Sequence, residues 1–415
     1  MDIWKPLLSP VKVRRLQERL ACLGFDPGEP DGRYGILTRE AVRELQAAYR
    51  LSVDGIAGPE VARLLSQDLP NLRMAVCAGE GDSLSSIART RGTTVEAIIE
   101  ANARKRFERV YTGERLAIHR RAAIAIAGSR ASTPTVRAAW ENNRWTEIAR
   151  PCFRLAPDGS VVQMNQGRAS LAILTDTLDQ YGTVQDPTCT GTFLHDRNRA
   201  HREQQVEKVV RGAVSARYAG VLVDLARVCE NDWWALVRFL RELARECSGA
   251  GLKLGVCVPA FTKQTRSTPE VLGYDFEAIG QIADFVVADH RNPFTFWDAT
   301  VSMCRVVPRW KLIACIRVCP YSTGNGSPED LDSEALSKLR VRHVVREGRD
   351  EVSSVPYYFY RSKGVRRRVW HEDSISVGSK LHMVNRLNIL GVAFRGVDTA
   401  RHDVFAEIAH RFIIM

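Results

Sequence analysis

The sequence predicts an α/β fold: an eight-stranded parallel (β/α)8 barrel, preceded by an all-α three-helix domain and a small βααβ module. Three observations predict it. Over residues 121–415, short apolar runs alternate with amphipathic helical patterns, as consecutive βα units require. Two shorter segments ahead of that stretch carry their own apolar periodicity and turn residues. The 415 residues, 45% hydrophobic and 26% charged, suffice for two or three ordinary globular cores.

The first segment is expected to span 1–70. Val13, Leu16, Leu20 and Leu23 form a helical stripe that stops at Gly24. Turn residues follow, Pro27 to Gly32. Thr38 is expected to cap a second helix carrying Ala41, Val42, Leu45 and Tyr49. A second Asp-Gly turn, Asp54-Gly55, leads through Gly58 into a third helix, Pro59 to Leu65. Leu16-Gln17…Asp31-Gly32-x-x-Gly35 and Leu45-Gln46…Asp54-Gly55-x-x-Gly58 form an internal repeat. With Leu-Gly-Phe and Thr-x-x-Ala-Val in the same order, the segment resembles the three-helix peptidoglycan-binding domain of bacterial wall hydrolases. The resemblance implies glycan contacts around Asp31, Gly32, Asp54 and Gly55.

The second segment is expected at 73–120. Asp82 or Ser83 caps a helix whose Leu84 and Ile87 face inward, and Thr94 opens another with Val95, Ile98 and Ile99 inward. Gly81-Asp82-Ser83-Leu84, then Asn102, then Gly113-Glu114-Arg115-Leu116 resemble a LysM domain. Such domains bind N-acetylglucosamine chains, which implies glycan contacts at Gly81, Asp82, Ser83, Leu84 and Asn102, and along 103–111. That last loop is unusually basic.

In the third segment, 121–415, eight strands are expected: Ala122–Ala127, Ile148–Leu155, Leu171–Thr175, Val221–Leu225, Leu254–Val258, Phe285–Ala288, Leu312–Val318 and Val392–Phe394. After the fourth, Asn231 or Asp232 caps a helix with Leu236, Phe239, Leu240, Leu243 and Cys247 inward. Between strands seven and eight lies a small α+β insertion with a hairpin ending in Val365–Trp370. The strand at Gly220-Val-Leu-Val-Asp224 resembles that of glycoside hydrolase family 18, the chitinase-like TIM barrels, whose pattern is Asp-Gly-x-Asp-x-Asp-x-Glu. Gly251 to Pro259 and Tyr274 to Val287 fit the family's fifth and sixth strands.

The resemblance implies a substrate-assisted glycosidase site, in which a Glu protonates the leaving oxygen and an Asp two residues earlier orients the acetamido group. Here Asp224 matches that Asp, while Ala226 stands where the Glu would be. His290 and Asp289 occupy the place of a Met-x-Tyr-Asp strand end, and Arg395 that of a tryptophan. The expectation is a pseudoenzyme, a barrel that holds glycan without cutting it. Asp176, Asp224, Asp289, His290, Arg317, Arg395 and Asp398 also allow a rebuilt site, with Asp289 or His290 as the acid and Asp224 as orienter. Trp233, Trp234, Phe294, Phe296 and Trp297 follow strand ends, where a sugar would stack.

No apolar run reaches the length of a membrane span, and the N-terminus has no secretory-signal pattern. The ten cysteines form no Cys-x-x-Cys pair, so free thiols are expected rather than disulfides or a metal site. No cofactor is implied. The net charge of +11 favours an anionic partner, but no groove-reading motif supports nucleic acid. Expected partners are peptidoglycan or a chitin-like glycan, with spore coat proteins as a further class. LysM units ahead of such barrels resemble spore cortex-lytic and germination proteins, which implies cytoplasmic synthesis without a signal peptide and a place in the spore coat or cortex. Two alternatives stay open: an active N-acetylglucosaminidase, and a coat scaffold.

Overall fold

The architecture is taken from a computed structural model. It describes all residues except 1–8, 68, 103–108, 127–144, 146, 156–160, 164–178, 187–198, 226–227, 264, 291, 325, 331–343, 363–364, 398–402, 409 and 415. The chain forms two compact units: Met1–Arg121 with 385–390 and 408–415, and Ala122–Val384 with 391–407.

In the first unit, α1 (Pro10–Cys22), α2 (Ile36–Ala48) and α3 (Pro59–Leu65) bury one apolar stripe each. Leu20, Val42 and Leu45 are completely enclosed. Gly35, not Thr38, is the N-cap of α2. Thr38 sits inside the helix, buried, where its hydroxyl accepts from Gln17 Nε2 at 3.0 Å. Then follow β1 (Arg73–Cys77), α4 (Leu84–Arg91), α5 (Val95–Asn102) and β2 (Arg115–Ile126), with β1 antiparallel to the start of β2. Val76, Leu84, Ile87, Ile98, Leu116 and Ile118 form their common core.

The second unit holds a ring of parallel strands. Its members are residues 122–126 of β2, β3 (Glu147–Leu155), β5 (Asp179–Asp186), β6 (Gly220–Leu225), β7 (Lys253–Pro259), β8 (Phe285–Asp289), β9 (Leu312–Arg317) and β15 (Gly391–Arg395). Each pairs in parallel with two neighbours, and β2 closes the ring by pairing with both β15 and β3. The expected strand at 171–175 lies outside the described residues; the strand between β3 and β6 is Asp179–Asp186, whose polar composition hid it. A short β4 (Val161–Gln163) folds back on β3.

Helices α6 (Arg199–Ser215), α7 (Trp233–Gly249), α8 (Pro269–Leu272), α9 (Phe276–Ile282), α10 (Phe296–Met303), α11 (Ser374–Leu387) and α12 (Asp403–Ala406) connect the strands. Asp232 is the N-cap of α7, and Leu236, Phe239, Leu240, Leu243 and Cys247 are its buried stripe. The described part of the insertion between β9 and β15 is a five-stranded antiparallel sheet. It comprises β10 (Tyr321–Gly324), β11 (Gly326–Asp330), β12 (Val344–Arg349), β13 (Pro356–Ser362) and β14 (Val365–Trp370). No helix among the described residues is long and apolar enough to cross a membrane.

Candidate glycan-binding site

Alternate strand ends bring together residues far apart in sequence. Asp224 is the penultimate residue of β6, Asp289 ends β8 and Arg395 ends β15. Gly396 then turns the chain at φ +82, where a Cβ would strike Cys319 at 2.8 Å, so the turn that aims Arg395 requires glycine. Arg395 grips Asp224 with two bonds: Nη1 donates to Oδ2 at 2.9 Å and Nη2 to Oδ1 at 3.2 Å. Its Nε lies 3.7 Å from Asp289 Oδ1. Nη2 also contacts Cys257 Sγ, at 3.2 Å from β7.

All three charged side chains are largely buried, at 20, 11 and 10% exposure for Arg395, Asp224 and Asp289. Burial alone would lower the pKa of Arg395. The Asp289 and Asp224 carboxylates outweigh it and hold the guanidinium charged well beyond its ordinary range. Burial, then Asp224, pushes the Cys257 thiol well up. The Cys315 thiol rises to about 12, by burial and then Asp289. Neither is a thiolate nucleophile near neutrality.

His290 follows Asp289 but turns into the fold. Its Nδ1 lies 3.2 Å from the Cys315 carbonyl and its Nε2 2.9 Å from the Thr300 hydroxyl. Burial lowers its pKa to about 4, against the pull of Asp289. Residue 226 lies outside the described residues, as do Asp176 and Asp398. Trp233 and Trp234 open α7 just past β6 and are about half exposed, at 45 and 46%. Trp297 is half-buried on α10.

In the small modules the named side chains hold turns. Gln17 Nε2 donates to Asp31 Oδ1 at 3.0 Å while its Oε1 accepts from Gly32 N at 2.9 Å. Gln46 repeats this on the second turn, with Nε2 to Asp54 Oδ1 at 2.6 Å and Gly55 N to Oε1 at 2.8 Å. The hydrogen bond from each glutamine, followed by a backbone N–H, holds Asp31 and Asp54 below the usual carboxylate range. Asp82 accepts from Gly79 N and the Ser86 hydroxyl, both at 2.8 Å. Ser83 and Ser86 form a reciprocal capping box on α4. Leu84 is core, and Gly81 is exposed with open space where a Cβ would stand. Asn102 ties α5 to β2 through two bonds to the Ala117 backbone, each 2.8 Å. Asp31 and Asp54 stay exposed at these turns, while Gly32 and Gly55 are buried behind them.

Two features escaped the sequence. Cys257 beneath Arg395 reads there as one apolar residue in a strand. Phe294, after β8, packs edge-on against Trp370 of β14, with centroids 4.2 Å apart. Only the fold joins those loops.

Residues 9–65 match the peptidoglycan binding domain and residues 79–118 the LysM domain. YdhD of Bacillus subtilis, a sporulation-specific glycosylase by name, is 21% identical over 266 residues, 58% of this chain and 63% of that protein. The cortical fragment-lytic enzyme of Bacillus subtilis is 20% identical over 213 residues, 46% of this chain and 49% of that protein. The chain thus spans less than two thirds of these curated relatives. Among solved structures, a chitinase from Chromobacterium violaceum superposes with a TM-score of 0.62 at 21% identity, over 69% of this chain and 98% of that one. The spore cortex-lytic enzyme SleL of Bacillus megaterium gives 0.61 at 17% identity, over 90 and 96%. The chain therefore carries a peptidoglycan binding domain and a LysM domain ahead of a barrel with the fold of chitinase-type glycosidases.

Proposed function

We propose that this protein binds peptidoglycan of the spore cortex or cell wall and that its barrel holds glycan without cleaving it. The observation that carries the reading is the bridge from Arg395 to Asp224 and Asp289. A glycosidase acid must present a proton to the leaving oxygen, and here both carboxylates are engaged by one guanidinium instead. The same bridge occupies the carboxylate that would orient an acetamido group. Alanine at 226 has no proton to give. His290, with both ring nitrogens engaged inside the fold, is poorly placed to act as the acid. The two small modules supply the wall affinity, and Trp233, Trp234 and Trp297 offer ring faces near the strand ends. Co-sedimentation with purified cortex peptidoglycan, together with assay of the supernatant for new reducing ends, tests this. Binding without release is expected; failure to sediment overturns it and favours a scaffold held by coat proteins.

The relatives' names, glycosylase and fragment-lytic enzyme, favour a second reading: an N-acetylglucosaminidase in which Asp289 is the acid and Asp224 the orienter. It requires reducing ends from wild type that disappear in Asp289→Asn.

A further inference from the structure

Four aliphatic side chains of the three-helix domain face outward. Ile36 is 80% exposed, Val11 63%, Leu37 58% and Val53 56%. All four border the two Asp-Gly turns. In the first turn, Gly28 lies under Leu37, whose Cδ1 would stand 3.0 Å from a Cβ there. Gly32 lies against the Pro10 carbonyl, next to Val11, 2.8 Å from where its own Cβ would be. In the second turn, just after Val53, a Cβ on Gly55 would meet the Cγ atoms of Arg39 and Arg43 at 2.8 and 3.1 Å. Ile36, Arg39 and Arg43 are three and four positions apart and share one side of α2. Tyr34 joins the two turns: its hydroxyl donates to the Gly55 carbonyl at 3.0 Å and accepts from Ala57 N at 3.1 Å. The starts of α1 and α2 and both turns therefore make one continuous surface.

Single exposed apolar residues are ordinary, but four around one pair of turns mark a contact surface. Its chemistry does not suit a sugar ring, which stacks on aromatic faces. The three aromatic side chains of residues 9–65 are all engaged within the domain. Phe25 and Tyr49 are buried, and Tyr34 is half-buried with its hydroxyl bonded. Aliphatic side chains suit methyl groups instead. The border of the surface carries both signs of charge. Asp31 and Asp54 are exposed, and each gives Oδ1 to its turn, to a glutamine and to a backbone N–H at 2.8 Å. Lys12 and Arg15 are exposed on α1, with Arg15 one helical turn from Val11.

We propose that this surface binds the peptide branches of peptidoglycan, with Ile36, Leu37, Val11 and Val53 against alanyl methyl groups. The inference rests on the peptidoglycan reading above and names the part of the polymer that this domain takes. Peptide branches carry methyls, amino groups and terminal carboxylates, which match the aliphatic, acidic and basic parts of the surface. The sugar chain offers acetamido and hydroxyl groups and no cation. The domain would thus distinguish peptide-bearing wall polymer from chitin, which has no such branches.

The test compares full-length wild type with Ile36→Ser/Leu37→Ser by titration calorimetry. The ligands are soluble peptidoglycan strands with their peptide branches and the same strands after an amidase has removed them. Removal leaves a lactyl carboxylate at each branch point, so plain charge attraction to a basic protein is retained. Contributions from the rest of the chain cancel in the ratio of ratios. Wild type should bind the branched strands about 10-fold tighter than the stripped ones. The variant should lose about that factor on branched strands and nothing on stripped ones. Saturating free branch peptide should bring wild type to its stripped-strand affinity. Equal losses on both ligands give the surface to the sugar chain and overturn the inference, as does no loss on either. A wild-type dimer that the substitutions dissolve, with both affinities unchanged, gives the surface to a second copy and also overturns it. No binding of either ligand by wild type overturns the peptidoglycan reading itself. If the double variant does not fold, Val53→Ser, in the loop ahead of the second turn, takes its place. It should lose about threefold on branched strands only, and an unchanged or equal response is the contrary result.

Discussion

Replacing Arg395 with methionine keeps the length of the side chain and removes its charge. Asp224 and Asp289 would then remain as two carboxylates, each about nine-tenths buried, with the cation between them gone. At about 4 Å and an effective dielectric near 20, each lost attraction is worth about 4 kcal/mol before desolvation is counted. Arg395 itself had to be desolvated, and it keeps 20% exposure. The net cost therefore falls in the range of about 3–5 kcal/mol seen when one partner of a buried pair is removed. The loss has a partner signature. Asp224→Asn alone also breaks the two-bond grip, so the double variant should cost less than the sum of the two single changes, by a coupling of about 0.5–3 kcal/mol. Urea unfolding of wild type, both single variants and the double variant at pH 7.5 reads the cycle. An Arg395→Met variant as stable as wild type, or costs that simply add, would refute the ion-pair account.

Other expectations follow from the same geometry. The lowered pKa of His290 means that the unfolded chain takes up a proton before the folded one between about pH 6.5 and 4, so stability falls as pH drops through that window. The full effect is about 3 kcal/mol, read as the part of the pH dependence that His290→Gln abolishes in urea titrations. Gln17, 1% exposed, bonds to Asp31, Gly32 and Thr38, so Gln17→Ala should cost the first unit about 2–3 kcal/mol by thermal or urea unfolding. Trp233→Ala with Trp234→Ala removes two half-exposed rings, so stability should fall by about 1–3 kcal/mol per site while glycan affinity falls about fivefold in co-sedimentation.

What the sequence disclosed, and what it concealed, divides along the range of the interaction. Strands β6, β8 and β9 announce themselves as apolar runs because the sheet is covered on both faces. Asp179–Asp186 has no such run and takes its place only by pairing with β3 and β6. The Ser83 cap is local and legible in Gly-Asp-Ser-Leu. Thr38 has the composition of a cap, but Gln17, 21 positions earlier, draws its hydroxyl inward. The partners Arg395 and Asp224 stand 171 positions apart, so no spacing rule could join them. The arginine run of β14 was visible as charge, and its stacking on Tyr357 and Phe359 exists only once the hairpin register is fixed.

Whether the barrel holds glycan or cuts it is decided by product analysis. Wild type and Ala226→Glu are incubated with cortex peptidoglycan and with chitin oligosaccharides, and soluble products are identified by mass spectrometry. Wild type should release none from either substrate while still binding the cortex. Fragments ending in a new reducing N-acetylglucosamine from wild type would contradict it.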